Sequence, residues 1–258
     1  MNPGIILVLI VLAMVVVAFA LTRIDLPRKP GFEGLEDIEA AQAYDRISHW
    51  PQFRVLRRII AAKLATHQPT GILADIGCGP GLLTTKIAQR HRHLHVIGLD
   101  TAEEMIRAAA LNASSLGLSD RIEFREGDVS SLPLPDGTLD FAVSTFSLHH
   151  WADPGRALGE IHRVLKPGGE LMLFDLRRDP PRFFLWLLKL AQRFVVPRGL
   201  RRVNEPIGSL LSSYTAAELH GLLGRSPFHE WKVDGSAVWF FAWARKRSSE
   251  QPAAPARE

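Results

Sequence analysis

The stretch Leu73-Ala74-Asp75-Ile76-Gly77-Cys78-Gly79-Pro80-Gly81 constrains the fold more than any other part of the chain. Gly71 to Ile76 reads as a buried strand, three glycines follow within five residues, and a helical pattern begins at Leu82. A strand that turns so sharply into a helix sets its loop at the carboxyl edge of a parallel sheet. The helix N-terminus offers unpaired N–H groups there, and glycine lets a ligand touch the backbone. The loop is expected to cradle a small molecule, with a ligand-free structural turn as the alternative.

The spacing decides which molecule. A dinucleotide site uses G-x-G-x-x-G and seats a pyrophosphate at the helix N-terminus. Here the run is G-x-G-x-G, Pro80 removes a donor, and Leu82 stands where the third glycine would be. Asp75 lies two residues before the first glycine. Its charge gives an anionic pyrophosphate nothing, whereas a ligand with an ammonium and a sulfonium would gain from it. The run resembles motif I of the class I S-adenosylmethionine-dependent methyltransferases.

Later segments fit the same family. His95 to Leu99 reads as a second buried strand ending in Asp100, a position from which a carboxylate can accept both hydroxyls of an adenosine ribose. Thr101-Ala102-Glu103-Glu104 opens a helix. After a third strand, Ile122 to Glu126, Asp128 can accept from an adenine amine while Val129 lies against the ring. Leu139 to Ser144 is a fourth strand, Asp153-Pro154 starts a helix, and Glu170 to Leu176 is a fifth strand. The passage GDVSSLPLPDGTLDFAVSTFSLHHWADPGRALGEIHRVLKPGGELMLFD, residues 127 to 175, is similar to the small-molecule and lipid branch that contains the ubiquinone and menaquinone biosynthesis methyltransferases. The resemblance covers residues 70 to 176 well. It implies S-adenosylmethionine as cofactor, held by Asp75, Gly77, Cys78, Gly79, Gly81, Asp100, Thr101, Met105, Asp128, Val129 and Ser144, with no metal. It also implies a doubly wound α/β fold with a mostly parallel seven-stranded sheet, whose last strand inserts antiparallel.

Before this domain, Gly4 to Leu21 is uncharged and almost wholly aliphatic. Eighteen helical residues span about 27 Å, close to the hydrocarbon core of a bilayer. Ala18-Phe19-Ala20 offers a signal-peptidase site, but residues 2 to 4 carry no Lys or Arg. The expectation is one uncleaved N-terminal transmembrane helix. Arg23, Arg28 and Lys29 follow it and would keep the catalytic domain in the cytoplasm. The domain reading is a transmembrane anchor over 1–25, a linker and N-terminal helices over 26–68, a methyltransferase domain over 69–246 and a disordered polar tail over 247–258. Within the N-terminal helices, Tyr44 is expected either to pack on the core or to reach the mouth of the pocket.

The net charge is +4, with basic residues gathered near the N-terminal segment and in residues 177 to 202, a pattern that suits a membrane surface rather than a nucleic-acid groove. Arg182 to Val196 is apolar apart from a stripe of Arg182, Lys189 and Arg193. It reads either as a core-packing helix or as an interfacial one. The single cysteine, Cys78, excludes an intrachain disulfide and a Cys-based metal cluster.

Methyl transfer is an in-line displacement, so the protein must align the acceptor and, for a weak nucleophile, remove its proton. Ser147, His149 and His150, just past the fourth strand, are placed by topology for that task, and imidazole titrates near neutral pH. His149 and His150 are the candidate general bases, acting on a phenol or enol of an apolar or lipid-like acceptor at the membrane surface. An N-P-P-Y type motif for nucleic-acid amino methylation is absent after the fourth strand. Two further readings are a nicotinamide-dependent reductase and a membrane-tethered scaffold that binds cofactor without activity.

Overall fold

A computed structural model describes residues 3–29 and 38–248. The strands β1 (Ile72–Ile76), β2 (His95–Asp100), β3 (Ile122–Glu126), β4 (Leu139–Thr145), β5 (Leu165–Leu176), β6 (Glu230–Gly235) and β7 (Trp239–Arg245) form one seven-stranded sheet in the order β3-β2-β1-β4-β5-β7-β6. The first five run parallel, and β7 enters antiparallel between β5 and β6. Strand order reverses between β1 and β4, so their carboxyl ends open the crevice where α/β sheets bind ligands.

Ten helices flank the sheet among the described residues: α1 (Pro3–Leu21), α2 (Ile38–Ser48), α3 (Pro51–Ala65), α4 (Leu82–Arg90), α5 (Glu103–Ser115), α6 (Pro154–Val164), α7 (Arg182–Phe194), α8 (Arg198–Arg202), α9 (Ile207–Ser212) and α10 (Ala216–Gly224). A 3-10 turn, Leu148–His150, follows β4. Strand residues alternate between two cores, as a period of two demands. Ala74, Ile76, Ala142 and Leu173 pack with Leu158 and Ile161 of α6 and Leu219 and Leu223 of α10. Leu73, Phe141, Val143 and Met172 pack with Ile60 and Leu64 of α3 and Ile87 of α4.

Local signals act where the sequence put them. Asp153 accepts from Arg156 N at 2.9 Å and caps α6. Thr215 and Glu218 close a full capping box on α10. The start of α5 differs: Ala102 is the cap residue, and the Asp100 carboxylate reaches its N–H instead. The hairpin that closes the sheet turns at residues 236–238, between β6 and β7.

The expected membrane span does not stand. The apolar run does form α1, yet among the described residues no helix is long and apolar enough to cross a membrane. The end of α1 is committed to the protein. The Arg182 guanidinium lies 4.6 Å from the Phe19 ring, Arg182 N donates to Thr22 O at 2.9 Å, and Ile24 N donates to Pro180 O at 3.1 Å. Hydropathy reports composition, not which surface a segment docks against. The transmembrane part of the fold class is overturned, and with it the single-pass membrane location with a cytoplasmic domain. The linker at 30–37 and most of the expected tail, 249–258, lie outside the described residues.

Candidate active site

The glycine loop is built tightly against its surroundings. Gly77 and Cys78 donate to Leu99 O at 2.7 and 2.9 Å, which draws the loop onto the end of β2. Gly77 has φ +73°, and a Cβ there would come within 2.3 Å of Ser147 Oγ. Gly81, at φ +69°, would meet Ala109 at 2.8 Å, so its lack of a side chain lets α4 approach α5. At Gly79, which has φ +54°, a Cβ would sit in ordinary contact with the Tyr44 ring, 3.7 Å from Cε1, so the middle of the loop faces Tyr44.

A small, partly open cleft lies between the loop and the N-terminal helices, lined in part by Gly77, Cys78, Gly79, Tyr44, Arg57 and Phe146. Tyr44 lines this cleft and also packs against Ala40, Ala43 and Leu200, and the carboxylates around it shape its chemistry. Burial first, then Glu205 and Asp100, push its phenol up to about 12, so it stays a neutral donor. Arg57, half-buried on α3, donates to Ser48 O at 2.7 Å and brings a cation to the far wall.

Two acids sit beneath the loop. Asp75 is 1% exposed; its Oδ2 accepts from Thr84 Oγ1 at 2.6 Å, and its Oδ1 has no hydrogen-bond partner. Burial chiefly raises its pKa to about 7, against the lowering effect of the Thr84 bond. Asp100 accepts from Gly79 N at 2.8 Å and Ala102 N at 3.0 Å, tying β2 to the loop, while burial raises its pKa too. Cys78 is buried, and burial followed by Asp75 and Asp100 pushes its thiol well above the ordinary range, which keeps it an inert small side chain.

The other sequence-derived residues follow the same sheet edge but do not line this cleft. Met105 is buried on α5, and Thr101 is exposed beside Asp100. Asp128 is exposed and accepts from Ser130 N at 2.7 Å, while Val129 packs on the core. Ser144 is buried, and its hydroxyl donates to Ile76 O at 2.7 Å, joining β4 to β1 under the loop. Its hydroxyl is therefore spent on the sheet.

At the tip of β4 the two candidate bases diverge. His149 is 3% exposed, its Nδ1 lies 2.8 and 2.9 Å from the two oxygens of Asp175, and its backbone N–H donates to Asp175 Oδ2 at 3.1 Å. The buried Nε2 has no hydrogen-bond partner. Burial would lower this imidazole's pKa, but Asp175, with help from Glu205, outweighs it and the net shift is upward. The His150 ring centroid lies 4.1 Å from that of His149 on the same turn. Asp175, at the end of β5, and Glu205, between α8 and α9, were not read as part of this group from sequence. Asp175 left one trace, an acid closing the apolar strand ELMLFDL.

The Methyltransferase domain family matches residues 74–173, from the glycine-loop strand through β5. Demethylmenaquinone methyltransferase of Thermus thermophilus is 32% identical over 163 residues, covering 62% of this chain and 72% of that protein. The chain belongs to the S-adenosylmethionine-dependent methyltransferases. The demethylmenaquinone methyltransferase of Deinococcus radiodurans is also 32% identical, over 161 residues, and the match spans 62% of each protein. Among solved structures, a methyltransferase dependent on the same cofactor from Methanococcus maripaludis superposes with TM-score 0.65 at 24% identity, covering 83% of this chain and 95% of that one. The [4+2]-cyclase SpnF matches at TM-score 0.65 and 20% identity, covering 87% and 99%, which shows the fold alone.

S-adenosylmethionine is thus the cofactor of this methyltransferase, and the residues suit it. The buried Asp75 Oδ1 is an acceptor without a hydrogen-bond partner, and Gly79 brings bare backbone to the wall of the cleft. Acids below the loop and a cation across the cleft match a ligand with a positive amine and sulfonium and one carboxylate.

Proposed function

We propose that this methyltransferase acts on a small, largely apolar acceptor carrying a phenol or enol, of the quinol kind, with His149 as general base. The observation that carries the reading is the buried Nε2 of His149, partnerless while its other ring nitrogen is clamped by Asp175. The similarity to demethylmenaquinone methyltransferases supports the acceptor class.

When bound, S-adenosylmethionine supplies an electrophilic methyl group on a thioether leaving group. Asp75, Gly77, Gly79 and Asp100 would hold the donor, with Thr101, Met105, Asp128 and Val129 of the same sheet edge serving its nucleoside and the Arg57 guanidinium available to its carboxylate. Asp175 fixes the tautomer of His149 with the proton on Nδ1, so Nε2 presents a lone pair. The acceptor hydroxyl gives its proton to Nε2, and the electron density released at the ring makes it nucleophilic. Asp175 then stabilises the imidazolium it faces. The raised pKa of His149 sets the sign of the pH dependence: kcat rises with pH as His149 loses its proton, through a pKa above the ordinary histidine value.

Incubating the protein with methyl-labelled donor and a demethylated quinol should give a labelled product by mass spectrometry. Label confined to water-soluble hydroxy acids or amines would overturn the acceptor reading. Asp100→Ala should weaken donor binding by about 1–3 kcal/mol, because it removes charge-assisted acceptors for the ribose and the anchor of Gly79. Calorimetry with S-adenosylmethionine measures this, and unchanged affinity would take Asp100 out of the ribose role.

A further inference from the structure

Helix α7 carries far more apolar surface than its packing uses. Leu185 is buried, but Trp186 is 65% exposed and Phe194 71%, and Phe183, Leu187, Leu190 and Val195 are exposed as well. Single exposed apolar side chains are ordinary; six on one helix and its C-terminal cap are a contiguous patch. The end of α1 packs beside it through Phe19 and Arg182 and extends the same apolar surface.

The charges within the α7–α8 segment have one sign. From residue 180 to 204 there is no Asp or Glu, and Arg182, Lys189, Arg193, Arg198, Arg201 and Arg202 supply six cations. Lys189 and Arg198 have no ionic or hydrogen-bond partner among the described residues, whereas Arg202 pairs with Glu39. An apolar face edged by cations complements an anionic lipid surface, where rings and aliphatic chains sink below the headgroups and Lys and Arg stay level with them. The patch is also close to the chemistry. Helix α9 packs on both α7 and the turn that carries His149, so it connects this helix to the proposed base.

We infer that the α7 face docks this protein peripherally on an anionic bilayer and that an apolar acceptor reaches the site from that surface. The inference rests on the proposed apolar acceptor for its purpose, but its test does not depend on turnover. The full-length protein should float with vesicles of phosphatidylcholine containing 30% phosphatidylglycerol about tenfold more than with phosphatidylcholine alone, and high salt should reduce the difference. Trp186→Glu with Phe194→Glu should lower partitioning onto the anionic vesicles at least tenfold. Lys189→Glu with Arg198→Glu should abolish the preference for anionic lipid. All four positions are exposed, so thermal melting and turnover of a short-chain, water-soluble quinol should stay at the parent level. Equal partitioning on the two vesicle types, absent partitioning, or unchanged partitioning of the Trp186/Phe194 variant would each overturn the docking surface. Failure of the quinol assay with intact vesicle binding would instead strike only the acceptor reading.

Discussion

Asp75→Asn should yield an apoprotein that is more stable than the parent at pH 8 by up to about 4 kcal/mol, and almost blind to S-adenosylmethionine. In the parent, burial raises the Asp75 pKa from 3.8 to about 7. At 1.36 kcal/mol per pKa unit, that difference is worth about 4 kcal/mol between the protonated and ionised forms. The sign follows from which state holds the proton. Between pH 3.8 and about 7 the folded chain keeps it and the unfolded chain does not, so folding stability falls as pH rises through that window. Above pH 7 the cost of a buried, half-satisfied carboxylate is fully present. Asparagine removes the charge and can still accept from Thr84. Urea unfolding should therefore show the parent losing stability from pH 5 to pH 8 through this group, with the variant lacking that loss. The same carboxylate is the proposed partner of the donor's ammonium, so donor affinity of the parent should rise with pH as Asp75 ionises, and binding near pH 7 should expel a proton. Calorimetry in buffers of different ionisation enthalpy measures that proton. A variant that binds the donor as tightly as the parent would overturn the assignment of Asp75.

The legible parts of this fold are those whose signals are local. Strands β1, β2 and β4 could be read from apolar runs, because a parallel strand buried on both faces needs a continuous apolar stretch, and α4 from the helical pattern after the glycines. The acids at 75 and 100 could be read from their place at strand ends. What escaped is set by tertiary context. Helices α8 and α9 have five and six residues, too short to be stable alone, and form only by packing against α2, α7 and the His149 turn. Asp175 lies 26 residues beyond His149, and only the register of β4 on β5 brings the two together. For Ser144 the sequence places the residue on β4 but says nothing of its hydroxyl, which donates to Ile76 O across the β1–β4 seam. For α1, composition gave the helix and misjudged its surroundings, because the contact with Arg182 depends on a residue 163 positions away from Phe19.

His149→Gln should lower kcat by about 10²- to 10⁴-fold while leaving donor affinity near the parent value, the range a positioned general base contributes. Glutamine keeps a donor for Asp175 and much of the side-chain volume, so the buried carboxylate is not stranded. Asp75 and Asp100, the proposed donor-binding acids, lie on β1 and β2, and His149 is on the far side of the switch point after β4, so the two proposed functions should separate in the variant. Two signatures distinguish loss of a base from loss of structure. The rise of kcat with pH seen in the parent should flatten, since the group that must lose its proton is gone. Stability should drop more at pH 6 than at pH 9, because a histidine whose folded pKa is raised stabilises the fold below its unfolded pKa and loses that contribution as pH climbs through the folded one. Asp175→Asn tests the clamp separately: it should release the tautomer, lower kcat, and shift the pH profile towards that of an ordinary histidine. Retention of kcat within about threefold in His149→Gln, with an unchanged pH profile, would place proton removal elsewhere and leave the His149–Asp175 pair a structural bond across β4 and β5.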